Sequence, residues 1–238
     1  MTFLERTENL IFSLYDAIGR KFYYLPKQTQ LARDAFVKLE NQEGGRLPSV
    51  EDLEKKISLH LINSHPALSY PRPKMPGLVD IAGIHIKKPK PLPEDIKSFL
   101  DGAEHGAIYI SFGSFLRSSE MPKEKYEAML NVFRNIKQRV LWKWEKDEIP
   151  DLPSNVSTLT FCETSHYLNY FPFFQVMVKK WLPQSDVLSH KNMKLFIGHG
   201  GIFGTQEAIF HAVPMILFPF YGDQHLNGHK LQQRGIGN

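Results

Sequence analysis

The sequence predicts a mixed α/β fold in which a parallel sheet is covered by helices on both faces. Three observations point there. From Glu94 onward, short apolar runs alternate with stretches of helical period, which is the pattern of strand–helix units and not of hairpins. Glycine and proline breaks fall where the runs end, as at Gly198–Gly201 and Pro219. The polar residues with chemical potential cluster just after those breaks, where the carboxyl ends of parallel strands hold ligands.

Taken in order, residues 1–90 carry helical periodicity near 3–20 and 28–40, strand patterns near 57–63 and 78–86, and a proline-rich stretch. The segment Lys87 to Pro93 (KKPKPLP) reads as a linker, because its prolines favour extended backbone and oppose a continuous helix. A division into residues 1–90 and 91–238 follows. The second part opens with a helix from Glu94, then a strand over Ala107–Phe112. A helix over Lys123–Lys137 comes next, with Tyr126, Met129, Leu130, Phe133 and Ile136 on one apolar stripe, the mark of a core-facing helix. A strand over Arg139–Trp144 and another over Val176–Lys180 follow.

The last third is the most informative. Lys194–Gly198 is a short strand, His199-Gly200-Gly201 breaks it, and Ile202–His211 resumes with helical spacing. Adjacent glycines let backbone approach a ligand closely, and the free N–H groups opening a helix suit a phosphate. His199 can donate to a phosphate oxygen, a charge-assisted bond of roughly 1.5–3 kcal/mol. Glu207, six residues into the turn–helix unit, can accept both hydroxyls of a ribose, as acidic side chains do in dinucleotide folds. The strand Val213–Phe218 ends at Pro219, and its loop delivers Asp223 and Gln224, which suit the hydroxyls of a hexose; a final helix runs Gln224–Arg234. Upstream, Trp181 in W-L-P-Q offers an indole face on which a base can stack, worth about 1–3 kcal/mol. Singly, each of these is more often a core tryptophan, a plain turn or a surface pair. Their joint spacing makes a nucleotide-sugar pocket the expectation.

The motifs W-L-P-Q (181–184), F-I-G-H-G-G-I-F-G-T-Q-E-A (196–208) and V-P-M-I-L-F-P-F-Y-G-D-Q (213–224) resemble the signature of the UDP-glycosyltransferases of the UDP-glucuronosyltransferase superfamily, in its animal, insect-like branch. The resemblance extends through I-Y-I-S-F-G-S (108–114), V-L-W-K-W-E (140–145) and L-I-N-S-H-P-A-L-S-Y-P-R-P (61–73), nearly the whole chain. It implies a GT-B-type fold: part of an acceptor-binding N-terminal domain over residues 1–90, then a truncated Rossmann-like donor-binding domain over 91–238. It also implies roles. Trp181 stacks on uracil; Gln184 and Glu207 hold the ribose. Ser114, His199 and the turn amides of Gly201 to Thr205, Gly204 among them, hold the diphosphate. Asp223 and Gln224 hold the sugar. Two positions depart from the pattern: Gly198 stands where a hydroxyl residue commonly precedes the histidine, and Gly204 where many insect members have serine.

The implied partners are a UDP-sugar donor and a small lipophilic acceptor, with no separate cofactor and no metal, and with scope for a homo- or hetero-oligomer with intact relatives. The implied reaction is transfer of glucose or glucuronic acid with inversion, a detoxification-type conjugation on the lumenal face of the endoplasmic reticulum membrane. Neither residue of the family's histidine–aspartate general-base pair has a counterpart here; His65 and His85 belong to a later part of that domain. A missing base costs roughly 10²- to 10⁴-fold in rate, and lost acceptor positioning about 7–11 kcal/mol of barrier lowering. The chain alone is therefore expected to bind UDP or UDP-sugar weakly and not to transfer sugar, with no catalytic residue of its own. The alternative is a catalytically dead nucleotide-sugar-binding or interaction module.

Composition limits other readings. The 238 residues carry 29 Lys and Arg against 25 Asp and Glu, a formal charge of +4. That excess is too diffuse for nucleic acid, since no basic run is interleaved with base-stacking aromatics. The single cysteine, Cys162, supports neither an intrachain disulfide nor a metal cluster. The N-terminal residues read as the start of an amphipathic helix and not as a signal peptide, and no apolar stretch approaches the roughly 20 residues of a bilayer span.

One segment is foreign to its surroundings. Residues 156–175 (VSTLTFCETSHYLNYFPFFQ) interrupt what the family runs through almost directly, and hold aromatic residues with Glu163 as their one formal charge. Val156-Ser157 can be encoded by a splice-donor sequence and Pro172–Gln175 by a pyrimidine tract ending in a splice acceptor. The expectation is an intron read in frame; the alternative is a lineage-specific loop.

Overall fold

A computed structural model describes residues 2–43, 47–70, 73–146 and 176–237. The expected insert 156–175, with Cys162, lies outside the described residues. The chain divides into two compact units, residues 1–61 with 74–79 and residues 62–73 with 80–238.

The first unit is helical. Helix α1 (Phe3–Gly19) opens on a reciprocal cap, with Thr2 Oγ1 accepting from Glu5 N–H and the Glu5 carboxylate accepting from Thr2 N–H. Where the sequence predicts a break between two helices, the backbone instead passes through one π-helical turn (Arg20–Tyr24) into α2 (Leu25–Glu43). Pro26 is the physical reason: it has no N–H to return to the preceding turn, and a widened turn accommodates that loss without ending the helix. Helix α3 (Val50–Lys55), absent from the sequence reading, is capped by Ser49, whose Oγ accepts from Asp52 N–H at 3.1 Å. Arg20 pairs with Glu54 at 2.5 Å. Strands β1 (His60–Ile62) and β2 (Leu78–Asp80) form a two-stranded sheet. Both are shorter than predicted; β2 gives way to turns that include Gly83 at φ +84°.

The second unit is the predicted parallel α/β domain. Its elements are α4 (Glu94–Asp101), β3 (Ala107–Ser111), α5 (Lys123–Phe133), β4 (Arg139–Lys143), β5 (Val176–Lys179), α6 (Gln184–Leu188), β6 (Met193–Gly198), α7 (Ile202–Phe210), β7 (Met215–Leu217) and α8 (Gln224–Gln233). The strands lie in the order β5-β4-β3-β6-β7, all parallel. Side chains on a strand alternate between faces, and the two cores divide accordingly. Ala107, Tyr109, Leu141 and Met177 join Phe99, Leu100, Leu188 and Ala208 on one face. Ile108, Ile110, Val140, Trp142, Val176 and Val178 meet Tyr126, Leu130 and Phe133 on the other, with Met129 and Ile136 packed at the margin, so the predicted α5 stripe faces the core.

Residues 62–73 and 80–90 belong to the same compact unit as the sheet. Buried Gln206 on α7 accepts from Gly83 N–H at 3.3 Å and donates to Asn63 Oδ1 at 2.8 Å, and Arg234 donates to the Ser69 carbonyl. Lys90 N–H donates to Asp186, which ties down the proline-rich segment. His65 accepts from Ala67 N–H within its own turn, a local structural use. No helix of the described residues is long and apolar enough to cross a membrane.

The Asp95–Lys179 pair, 2.5 Å apart, links the first turn of α4 to the end of β5. Partial burial pushes the Asp95 carboxyl up, but the Lys179 ammonium and the N–H groups of Ile96 and Asp95 outweigh it and leave it below the ordinary value. A depressed carboxylate contributes stability that is present above its unfolded value, about 3.9, and is lost as pH falls through the folded one. Asp95→Asn is therefore expected to be slightly less stable near pH 6, by under about 1 kcal/mol because the pair is half exposed. The gap should begin to narrow as pH falls below about 4 and go on narrowing to about pH 2. Urea midpoints across that range measure it, and a gap that does not shrink over it would contradict the assignment.

Candidate functional site

The sheet order makes its reversal between β3 and β6: β4 and β5 build outward on one side, β7 on the other. At such a reversal the loops after the two central strands part and leave a crevice. Ser111 and Gly198 are paired in register at the strand ends, so the loops Phe112–Ser114 and His199–Gly201 open side by side. A cleft of about 460 Å³ lies there.

His199 is held between two glycines. A Cβ on Gly113 would lie 2.8 Å from its Cε1, and one on Gly201 would lie 2.5 Å from its Nε2. Gly113 also sits at φ +85° and Gly200 at φ +83°, a region that side-chain-bearing residues rarely adopt. Burial depresses the proton affinity of His199; Asp223 opposes that and Lys143 reinforces it. The imidazole is thus neutral near pH 7, and any charge in a hydrogen bond it donates comes from the ligand. Helix α7 opens at Gly201 with no side-chain cap, and the residues of its first turn line the cleft. Its N-terminal N–H groups are therefore directed at the space that His199 faces. Thr205 is buried on that turn, and among the described residues its Oγ1 has no hydrogen-bond partner.

Gln184 at the start of α6 donates through Nε2 to Glu207 Oε2 at 2.5 Å. His85 stands beside Glu207, 3.9 Å from its other oxygen, and edge-on to Phe203 at 4.9 Å. Trp181 lines the cleft and is 71% exposed, a large indole left open to solvent at the mouth.

The predicted residues Ser114, Trp181, Gln184, His199, Gly201, Gly204, Thr205 and Glu207 all line this one cleft. Asp223 and Gln224 do not. Asp223 accepts from Asn227 at 2.9 Å, and its field reaches His199. Gln224 is buried and its Oε1 accepts from the N–H groups of Phe220 and Tyr221, so its amide oxygen holds the loop in shape. Among the described residues there is no group of three or more His, Cys, Asp or Glu side chains placed to hold a metal.

Sequence reasoning missed Tyr109, Ser111, Lys143 and Phe196, which also line the cleft. Lys143 is nearly buried at the end of β4; its Nζ donates to the Gly113 carbonyl at 2.5 Å, lies 3.4 Å from Glu145 and sits 5.8 Å from the centre of the Trp181 ring. The usable signal was strand parity: Tyr109 and Ser111 are two residues apart and share a face, and Lys143 ends its strand.

Fold and cleft together define a Rossmann-like α/β domain of the GT-B glycosyltransferase type. The sequence profile of the family described as UDP-glucoronosyl and UDP-glucosyl transferase matches residues 1–238, and the chain belongs to this family. It is 36% identical over 237 residues to UDP-glycosyltransferase UGT5 of Dactylopius coccus, covering 100% of this chain and 40% of that protein. It is 30% identical over 236 residues to UDP-glucuronosyltransferase 2B16 of Oryctolagus cuniculus, covering 99% of this chain and 39% of that one. The chain therefore spans about 40% of the length of these relatives. Among solved structures, the glycotransferase of kitacinnamycin superposes with a TM-score of 0.56 at 19% identity, over 98% of this chain and 54% of that one. UDP-glucose: anthocyanidin 3-O-glucosyltransferase in complex with UDP gives 0.56 at 22%, over 74% and 39%.

Proposed function

We propose that this chain supplies the donor-binding part of a UDP-glycosyltransferase that moves a hexosyl group, glucose or glucuronic acid, from a UDP-sugar to a small lipophilic acceptor with inversion. The observation that carries this reading is the position of His199 between Gly113 and Gly201, beside an uncapped helix start and in one cleft with Trp181 and the Gln184–Glu207 pair. A uridine ring stacks on the open face of Trp181. The ribose hydroxyls meet Gln184 and Glu207, acceptors and donors of the right kind. The diphosphate takes N–H donors from α7, the His199 imidazole, the Ser114 hydroxyl and the Thr205 hydroxyl, with Lys143 as a nearby positive charge. The hexose falls to the loop carrying Asp223 and Gln224. Residues 1–90 belong to the acceptor side in this reading, and proton removal from the acceptor is left to a base outside this chain. The chain alone binds donor without turning it over.

Thermal unfolding across a UDP titration tests this. A ligand that binds only the folded state adds about 2.7 kcal/mol at 100 times its dissociation constant. The expected result is a UDP-dependent rise in Tm that Trp181→Ala largely removes, stacking being worth about 1–3 kcal/mol. A cooperatively unfolding chain whose Tm ignores UDP would overturn the proposal.

A further inference from the structure

A run of hydrogen bonds joins the two halves of the cleft beneath its surface. The Tyr109 hydroxyl donates to Gln184 Oε1 at 3.3 Å, and Gln184 Nε2 donates to Glu207; Ser111, two residues along the same face of β3, accepts from Gly113 N–H at 3.4 Å. Tyr109 is fully buried. We infer that Tyr109 is a positioning residue for the Gln184–Glu207 pair, and through it for recognition of the ribose hydroxyls, an inference that rests on the donor-site reading above.

The two ends of the Gln184 amide are chemically unlike. A carbonyl oxygen can accept the tyrosine proton and an NH₂ cannot, so the bond from Tyr109 selects one of the two flips of Gln184. In that flip the NH₂ faces the Glu207 carboxylate; in the other, two acceptors would face each other. Burial pushes the Tyr109 phenol well above its ordinary range, and Glu207 pushes it the same way against the Ser111 hydrogen bond. The hydroxyl consequently stays a donor throughout the working pH range. Without it, Gln184 Oε1 loses its partner and the side chain is free to swing from the carboxylate.

The ring that carries this hydroxyl is held in place. Tyr109 and Phe196 are register partners on β3 and β6 and stack with centroids 5.4 Å apart at 17°. The Phe196 ring fills the space beside Gly198, where a Cβ would lie 2.8 Å from its Cζ. A Cβ on Gly204 would lie 3.1 Å from Gln184 Nε2 and 3.6 Å from the same Phe196 Cζ. The two glycines that depart from the expected pattern therefore leave room for the stack and for the amide above it.

The experiment compares dissociation constants for UDP, 2′,3′-dideoxy-UDP and inorganic pyrophosphate, in the unsubstituted chain, Tyr109→Phe, Gln184→Met and the double variant. The unsubstituted chain is expected to prefer UDP over the dideoxy analogue. Tyr109→Phe, which keeps the stacked ring, should weaken UDP about 5- to 10-fold, the usual size of one lost hydrogen bond, and leave the other two ligands unchanged. Gln184→Met should erase the preference with the tyrosine intact, and adding Tyr109→Phe to it should change nothing further. Equal weakening of all three ligands by Tyr109→Phe, an unchanged preference in either single variant, or additive effects in the double variant would overturn the inference while leaving the donor site standing. Absence of UDP binding by the unsubstituted chain would overturn both.

Discussion

Gly201→Ala is expected to weaken UDP binding about 10- to 150-fold, the equivalent of losing a hydrogen bond to a charged group at roughly 1.5–3 kcal/mol. Nothing about the backbone forbids the substitution: Gly201 has φ −63° and ψ 142°, ordinary extended values. The obstacle is the imidazole, since the new methyl would lie 2.5 Å from His199 Nε2. Either the ring turns out of the cleft or the opening of α7 shifts; both remove donors from the phosphate position. Gly228 is the control. It lies inside α8 with nothing within 4 Å of an added Cβ, so Gly228→Ala should leave affinity alone and raise stability by about 0.5–1 kcal/mol, the helix preference of alanine over glycine. Calorimetric titration of both variants decides the matter. Unchanged affinity in Gly201→Ala would show that His199 is not a phosphate donor.

Trp142→Ala is expected to cost about 3–5 kcal/mol, the range for removing a buried large aromatic. Trp142 is fully buried on β4, edge-on to Phe133 at 5.7 Å and to Trp144 at 5.1 Å, and its Nε1 donates to the buried Ser118 hydroxyl at 3.2 Å. Truncation opens a void against the α5 face and leaves that hydroxyl without its donor. Stability of a domain is typically only about 5–15 kcal/mol, so this one change removes a large share. Trp181→Ala, by contrast, should move stability by under about 0.5 kcal/mol because the indole is mostly in solvent already. Urea unfolding followed by far-ultraviolet circular dichroism compares them; a cost below about 1 kcal/mol for Trp142→Ala would mean that the α5 core collapses around the void far better than such sites do.

The contrast between those tryptophans marks how far sequence reasoning reached. Alternation of apolar runs with helical stretches from Glu94 to Gln233 specified a parallel α/β sheet because both periods are imposed by backbone geometry alone. The five sheet strands appeared where the pattern placed them, and eight predicted cleft residues did converge, since motifs at strand ends are carried to one edge of a parallel sheet. Short elements such as α3 and α6 were missed because five or six residues hold too little periodicity to register. The continuity of α1 into α2 was missed because a π-helical turn absorbs a proline that local rules read as a stop.

Sequence by itself thus determined the family, the layer architecture and eight of the residues that meet in the cleft, all of which depend on residue type and spacing along the chain. Tertiary structure decided how those residues are used. Only register between β3 and β6 brings Tyr109 over Phe196, and only packing of β4 against the loop after β3 sets Lys143 on the Gly113 carbonyl. Contacts between residues 30 to 90 positions apart follow from where strands lie in the sheet, and a hydrogen bond acts over about 3 Å, so no spacing along the sequence could assign these partners in advance.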